Sequence, residues 1–125
     1  MTSLADSFNL EVETEYAEEL SVPTQHRYFF TYNITLTNPL GQPVSLTTIK
    51  LRLTSSDGEV IELDNPFSDK NNVIQSQDSF CYGSDIITAS PLSIVQGQIE
   101  LKLNASESII INIDSFRLST PNLLH

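Results

Sequence analysis

Three residues of the chain are of the types that most often supply a nucleophile or a general base near neutral pH. They are the two histidines, His26 and His125, and the single cysteine, Cys81. Serine or cysteine catalysis needs a histidine held beside the nucleophile. His26 directly precedes a predicted strand, His125 is the final residue, and neither adjoins a nucleophile motif. We therefore predict no catalytic residue and expect a protein that is not an enzyme.

Three glutamates near the start of the chain, Glu11, Glu13 and Glu15, are a second set of groups that could do chemistry. Carboxylates act as acid–base catalysts when one of them is desolvated. These three alternate with the apolar residues of a predicted strand, which places them together on its solvent-facing side. We interpret them as a solvated acidic face and not as a catalytic pair.

A segment in the middle of the chain, "DNPFSDKNN", offers oxygen ligands of the kind that calcium prefers. These ligands would come from Asp64, Asn65, Asp69 and Asn71. Their spacing fits no calcium-loop signature, and a lysine lies among them. Cysteine and histidine ligands for transition metals are almost missing. We predict no bound metal and no cofactor.

The charge balance excludes two classes of partner. Sixteen Asp and Glu residues and six Lys and Arg residues give a net charge of -10 and a sequence pI near 4.3, and no Lys or Arg precedes Arg27. Nucleic-acid affinity comes largely from Lys and Arg on phosphates, and anionic membrane surfaces also attract bases. We therefore expect neither nucleic acid nor a membrane as a partner.

The elements that must position these groups are β-strands, because apolar residues alternate with period two along most of the chain. Seven strands are predicted, at Phe8–Tyr16, Arg27–Thr37, Val44–Thr54, Glu59–Leu63, Ser79–Tyr82, Val95–Leu103 and Ile109–Leu118. No segment shows a helical period over three turns. This pattern is typical of an all-β, antiparallel sandwich of the immunoglobulin or fibronectin type III kind, with a small barrel as the alternative. We treat residues 1–125 as a single domain.

Turn residues and one break in the alternation locate the connections. "SSDG", residues 55–58, predicts a hairpin in which Gly58 adopts positive φ. The apolar parity slips at Thr47 and Thr48, which predicts a bulge or a crossing between sheets. The longest loop is predicted at Asp64–Asn72, and the strand that begins at Ser79 is predicted to end at Gly83.

Two aromatic residues fall outside the predicted core. Phe29 has the opposite parity to Tyr28 and Phe30, and Phe67 lies in the middle of the polar loop. An outward aromatic residue is either covered by a loop or available to a partner. We predict a protein partner that docks on an outer face or a strand edge, with Phe29 or Phe67 as the anchor. The acidic face of the first strand would steer a basic partner.

Six segments resemble the ApaG-domain family in order and approximate spacing. They are "VETEY" at residues 12–16, "RYFFTYNITLTN" at 27–38, "SSDGEVIEL" at 55–63, "SQDSFCYGS" at 76–84, "VQGQIEL" at 95–101 and "DSFRLSTP" at 114–121. The resemblance implies a fibronectin type III-like sandwich. It also implies one of two roles: bacterial members are linked to cobalt and magnesium handling, and eukaryotic relatives append the domain to proteins in which it serves protein recognition.

The chain departs from that family at two places. Family members usually carry a Gly-rich loop of the form G-x-G-x-x-G, proposed to hold a pyrophosphate, where this chain reads "DNPFSDKNN" without a glycine. Backbone N–H groups converge on a phosphate most easily at glycine, and proline has no N–H. An Arg-His-Trp cluster of the family is replaced by "TIK" at residues 48–50.

The interpretation that follows is a non-enzymatic, protein-interacting domain of the ApaG type. The alternative is a module that binds a small ligand or a divalent cation and is connected with cobalt and magnesium homeostasis. A nucleotide hydrolase is the third class, weakened by the missing glycines and histidines. With one cysteine and no signal-peptide pattern, we expect a cytoplasmic address. A homodimer is left open.

Overall fold

The computed structural model describes residues 7–66 and 72–121 of the chain. Within them the chain forms eight strands: β1 Asn9–Tyr16, β2 Tyr28–Thr37, β3 Val44–Ser55, β4 Val60–Pro66, β5 Val73–Ile74, β6 Ser79–Thr88, β7 Leu92–Lys102 and β8 Ser108–Ser119. Two single turns of 3-10 helix, Glu18–Leu20 and Pro23–Gln25, are the helical segments of this part of the chain. Neither has the length or the apolar character that a helix crossing a bilayer requires.

The strands form two antiparallel sheets. Sheet one has the order β1-β2-β6, and sheet two has the order β4-β3-β7-β8, with β5 also paired to β3. The two sheets pack face to face, and β1 lies against β8 across the interior. The predicted all-β sandwich is confirmed.

The core lies between the sheets, and residues of one parity on each strand supply it. In β2 the predicted core face is confirmed, since Phe30, Ile34 and Leu36 are each 1% exposed. Sheet two contributes Leu46, Ile49, Leu51, Leu53, Val95, Ile99, Leu101, Ile111, Ile113 and Leu118. Each such side chain stabilises the fold by about 1.5–3 kcal/mol when fully buried. Because these side chains are buried between the sheets, the two sheets are held together and the residues on their outer faces keep fixed positions.

The predicted break of the apolar parity coincides with an irregularity in the ladder, and a second irregularity lies between β7 and β8. The pairing of β3 with β7 shifts between Leu46 and Thr48, so the bulge that the slip at Thr47 predicted is confirmed. The pairing of β7 with β8 shifts next to Val95, where Gln96 stands opposite both Asp114 and Ser115. Each bulge inserts one extra residue into its strand, so that the apolar residues beyond it point into the core although their sequence parity has changed.

The hairpin between β3 and β4 also follows the prediction. Gly58 has φ of 94°, and its N–H donates to the carbonyl oxygen of Ser55 at 2.9 Å. The N–H of Ser55 donates to the carbonyl oxygen of Glu59 at 2.9 Å, which closes the turn. Positive φ is accessible to glycine at little cost.

The strand predicted to begin at Ser79 does not end at Gly83. That prediction is wrong, because β6 continues to Thr88. Gly83 pairs with Asn33 of β2, and the Asn33 side chain occupies the space that a Cβ at position 83 would need. The glycine therefore permits a close approach inside the sheet and does not end the strand.

The predicted loop Asp64–Asn72 begins too early, since β4 runs through Pro66. Proline is tolerated there because Pro66 is the last residue of an edge strand. Residues 7–66 and 72–121 form eight strands where seven were predicted, since Val73–Ile74 adds a two-residue strand too short to show periodicity.

Candidate interaction surface

The outer face of sheet one, the side turned away from the core, carries the residues that the sequence predicted as contacts. Phe29 of β2 pairs with Ile87 of β6 at one end of this face. Phe29 is partly buried, and the Ile87 side chain is 52% exposed. The two side chains form an apolar pair between neighbouring strands. Phe29 therefore points outward, as its parity predicted.

The segment after β1 folds back beside Phe29 and partly covers it. The N–H of Ala17 donates to the Phe29 carbonyl oxygen at 2.8 Å. The Phe29 N–H in turn donates to Ser21 Oγ at 2.8 Å, and that hydroxyl donates to the Ala17 carbonyl oxygen at 2.8 Å. Leu20, on the turn between them, is 62% exposed. Both outcomes expected for an outward aromatic are present, because a loop shields Phe29 while apolar groups beside it stay open.

Four carboxylates lie among the other outward residues of sheet one, which are otherwise small polar residues, Cys81 and Gly83. Glu11, Glu13 and Glu15 are exposed and pair with the outward residues of β2, as predicted. Asp85 of β6 lies beyond Thr31, on the far side of β2 from Glu15. None of the outward residues at the paired positions of β1, β2 and β6 is a lysine or an arginine. The face combines four carboxylates with one apolar end.

Ile87 and Asp85 were missed by the sequence prediction because the strand was ended at Gly83. The signal was present, since "DIIT" continues the alternation, with Ile86 buried and Ile87 exposed. The other predicted anchor, Phe67, lies outside the described residues.

The residues considered for catalysis are not brought together. Cys81 is exposed on the outer face of sheet one, where the Thr35 hydroxyl donates to its sulfur at 3.7 Å. His26 precedes β2, in a left-handed conformation with φ of 56°. Tyr28 and Thr35 are seven residues apart along β2, which corresponds to about 23 Å. His26 and Cys81 therefore do not form a nucleophile–base pair, and His125 lies outside the described residues.

Metal-binding geometry is not seen in the described part of the chain, residues 7–66 and 72–121. No three His, Cys, Asp or Glu side chains within it are grouped so that they could hold an ion. The side chains proposed as oxygen ligands in the segment 64–71 lie outside the description.

The outer face of sheet two has a different character, because it carries Lys50, Arg52, Lys102 and Arg117. The Arg52 guanidinium pairs with Oε1 of Glu62 at 2.6 Å, and both side chains are more than half exposed. An exposed ion pair of this kind adds little to stability.

A shallow depression of about 570 Å³ opens on this face above Gly97. Its polar lining is Lys50, Gln96, Gln98 and Asn112 together with the paired Arg52 and Glu62. These side chains supply cationic and amide groups that can donate to the oxygens of a small ligand.

Sequence comparison relates the chain to a known family. The ApaG domain profile matches residues 18–103. Protein ApaG of Shewanella sediminis is 33% identical over the whole of both chains. Protein ApaG of Vibrio cholerae is 32% identical over 93% of each chain.

Solved structures agree with this relationship. An X-ray structure from a structural genomics consortium, 31% identical, superposes with a TM-score of 0.85 over 98% of this chain and 94% of that one. A putative ApaA protein from Bordetella pertussis shares the fold with a TM-score of 0.83 at 20% identity, over 93% of this chain and 95% of its own. The sequence match, the shared sandwich and the predicted order of motifs converge, and the chain belongs to the ApaG domain family.

Proposed function

We propose that this chain is a non-enzymatic protein-interaction domain, folded as one unit over residues 1–125. Its contact surface is the outer face of sheet one. The observation that carries the proposal is the apolar pair Phe29–Ile87, set at one end of a face whose strand-paired positions carry four carboxylates and no Lys or Arg. The partner expected is a polypeptide that places an apolar side chain on this pair and basic side chains on the acidic rows.

The charges on the outer face of sheet one indicate that the partner carries positive charge where it binds. A face whose charged strand positions are all carboxylates attracts basic polypeptides and repels phosphate backbones and anionic lipids. The exposed thiol of Cys81 suits a reducing compartment, so the proposal includes a cytoplasmic address.

The test is affinity capture from the native host with three forms of the protein. Ile87→Glu places a charge in the apolar pair, and Ile110→Glu places the same charge on the outer face of sheet two, where Ile110 is 50% exposed. We expect one specific polypeptide to be recovered by the wild type and by Ile110→Glu. Ile87→Glu should bind it about 30-fold more weakly, as expected for loss of an anchor worth about 2 kcal/mol.

Binding should also weaken as NaCl is raised, because salt screens the carboxylates. Equal recovery by all three forms, or recovery that ignores salt, would contradict the proposal. Gel filtration of the free protein shows whether it forms a homodimer, which distinguishes binding to a different polypeptide from binding to a second copy of the chain.

The alternative function is a module for a small ligand or a divalent cation, and the depression on sheet two supports the small-ligand form of it, because Lys50 and Arg52 in its lining attract an anionic ligand. Calorimetry with Mg²⁺, Co²⁺ and nucleotides tests it on the same protein. Heat that disappears in Lys50→Ala would favour this second function, and no heat with any of them would reject it.

A further inference from the structure

A second concave surface lies at the end of the sandwich where β1 ends and β2 begins. It is a cleft of about 650 Å³, which lies within the range of about 300–1,000 Å³ typical of ligand pockets. We call it the proline–tyrosine cleft, after its lining residues Tyr16, Tyr28, Pro23, Pro91 and Pro121, with Glu18 beside them. These residues come from three stretches of the chain, residues 16–28, residue 91 and residues 120–121, which the fold brings together.

The walls of the proline–tyrosine cleft are held in place by the core and by backbone hydrogen bonds. Tyr16 and Tyr28 are partly buried and pack on the core, and the Tyr16 ring lies 5.3 Å from the ring of Phe30. The Thr120 N–H donates to the Pro91 carbonyl oxygen at 3.1 Å, which ties the end of β8 to the β6–β7 connection. A cleft with fixed walls loses little conformational entropy when it binds.

The hydrogen-bonding groups of the cleft favour a ligand rich in carbonyl oxygens. Tyr16, Tyr28 and Thr120 contribute hydroxyl groups, and among the described residues these hydroxyls have no intramolecular hydrogen-bond partner. The three prolines contribute apolar rings and no N–H. Aromatic rings, proline rings and hydroxyl donors therefore line one surface.

The charge of the cleft is acidic. Glu18 lies in its lining and is exposed, Glu19 follows it, and neither lysine nor arginine is among the lining residues. A cationic side chain on the ligand would be attracted to Glu18.

We propose that the proline–tyrosine cleft binds a proline-rich segment in the polyproline II conformation, with a lysine or arginine next to the prolines. Polyproline II has no internal hydrogen bonds, so its carbonyl oxygens are free to accept from the tyrosine and threonine hydroxyls. Its proline rings pack on aromatic side chains, as they do in other grooves that recognise such segments. The basic residue pairs with Glu18.

This inference goes beyond the proposed function, because the cleft lies at the end of the sandwich and does not use the Phe29–Ile87 pair. The experiment is an NMR titration of the ¹⁵N-labelled full chain with a synthetic peptide of consecutive prolines followed by one arginine. We expect chemical-shift changes at Tyr16, Tyr28 and Thr120, with a dissociation constant tighter than about 1 mM. No change up to that concentration would overturn the inference, as would changes confined to Phe29 and Ile87.

Two variants test the proposed contacts while preserving the fold. Tyr28→Phe removes one hydroxyl and should weaken binding by about three- to tenfold, the range for loss of one hydrogen bond. Glu18→Gln should weaken binding of the arginine peptide but leave unchanged a peptide in which glutamine replaces that arginine. Wild-type affinity for the arginine peptide in both variants would overturn the inference.

The matched control is Ile87→Glu, which alters the outer face of sheet one alone. It should bind the peptide as the wild type does, and loss of peptide binding in this variant would count against the cleft. Since Ile87→Glu tests the outer face and Tyr28→Phe tests the cleft, the two proposals can fail separately.

Discussion

Asn38 lies where the chain crosses from sheet one to sheet two. Its side chain has no exposed surface and forms hydrogen bonds with four backbone groups. Its Nδ2 lies within hydrogen-bond distance of the carbonyl oxygens of Gln42 at 2.9 Å, Ile74 at 3.1 Å and Gln75 at 3.2 Å, so one of its two N–H groups is shared between two acceptors. Its Oδ1 accepts from the Leu40 N–H at 3.0 Å. One buried amide therefore joins the connection after β2 to the connection after β5.

We expect Asn38→Ala to lower the free energy of unfolding by about 3 kcal/mol, because buried backbone groups lose their partners. Urea denaturation followed by circular dichroism measures this. Ser93→Ala is the matched control, since Ser93 Oγ is buried without a partner among the described residues. Its removal should be neutral or stabilising. A neutral Asn38→Ala would contradict this account of the crossing.

Tyr32 is the residue whose proton links stability to pH. Burial raises its pKa from 10.0 to about 12, and the charge of nearby Tyr82 adds to the rise. Between pH 10 and 12 the folded protein keeps a proton that the unfolded chain releases. Stability should therefore fall as pH rises through this window, by about 2–3 kcal/mol in total.

Denaturant titrations at pH 9, 10, 11 and 12 measure this loss. Tyr32→Phe has no proton to release, so its stability should fall less over the same range. Parallel losses in the two proteins would show that Tyr32 is not the linked group.

At the scale of the element, the bulge in β3 explains why core residues can lie on both parities of one strand. Thr47 has no partner in β7, while Leu46 pairs with Leu101 and Thr48 with Glu100. Removing Thr47 would leave Leu46 and Ile49 two positions apart, in regular alternation.

We expect the deletion of Thr47 to fold and to cost no more than about 2 kcal/mol. Deleting Lys50 from the same strand should prevent folding, because it would turn Leu51 and Leu53 outward. Circular dichroism and thermal melts of the two deletions measure the difference. Equal damage from both would mean that the bulge does not absorb the extra residue.

Gly97 shows how tightly β7 lies against β3. A Cβ at this position would clash with the Lys50 carbonyl oxygen and would lie 3.0 Å from Leu51 Cδ2. Backbone cannot move aside easily, so Gly97→Ala should destabilise by about 1–3 kcal/mol.

Gly83→Ala is the matched substitution, because the obstacle there is the end of the Asn33 side chain, which is exposed and can rotate. It should cost less than Gly97→Ala in the same thermal melt. The reverse order would contradict the assignment of the two contacts.

Across the whole molecule, opposite charges are divided unevenly between the two outer faces. The strand-paired positions on the outer face of sheet one carry carboxylates and no Lys or Arg, whereas the outer face of sheet two carries four of the six Lys and Arg residues. With a net charge of -10, the folded chain repels itself at low ionic strength.

Raising NaCl from 0.01 to 0.15 M shortens the Debye length from about 30 to about 8 Å. We therefore expect the melting temperature to rise over this range, and to rise less in Glu13→Gln, which removes one charge from the acidic face. A melting temperature that falls with salt would show that attraction between the charges outweighs repulsion.

Much of the fold could be read from alternation, because a residue's parity depends on its immediate neighbours. The inward row of β2, the outward Phe29, the hairpin at Gly58 and the slip at Thr47 were all predicted locally and are confirmed. Glycine was the point of failure. Gly58 and Gly83 look alike in sequence, but one turns the chain and the other lies opposite Asn33 inside a sheet.

The sequence by itself therefore determined the existence of the seven longer strands, their inward and outward parity and the acidic character of Glu11, Glu13 and Glu15, all of which depend on residues close together in the chain. Only the tertiary structure decided that Ile87 stands beside Phe29, and that Tyr16, Tyr28, Pro91 and Pro121 line one cleft. Those contacts join positions up to a hundred residues apart, and strand pairing across such distances is set by how the two sheets pack, which no local pattern records.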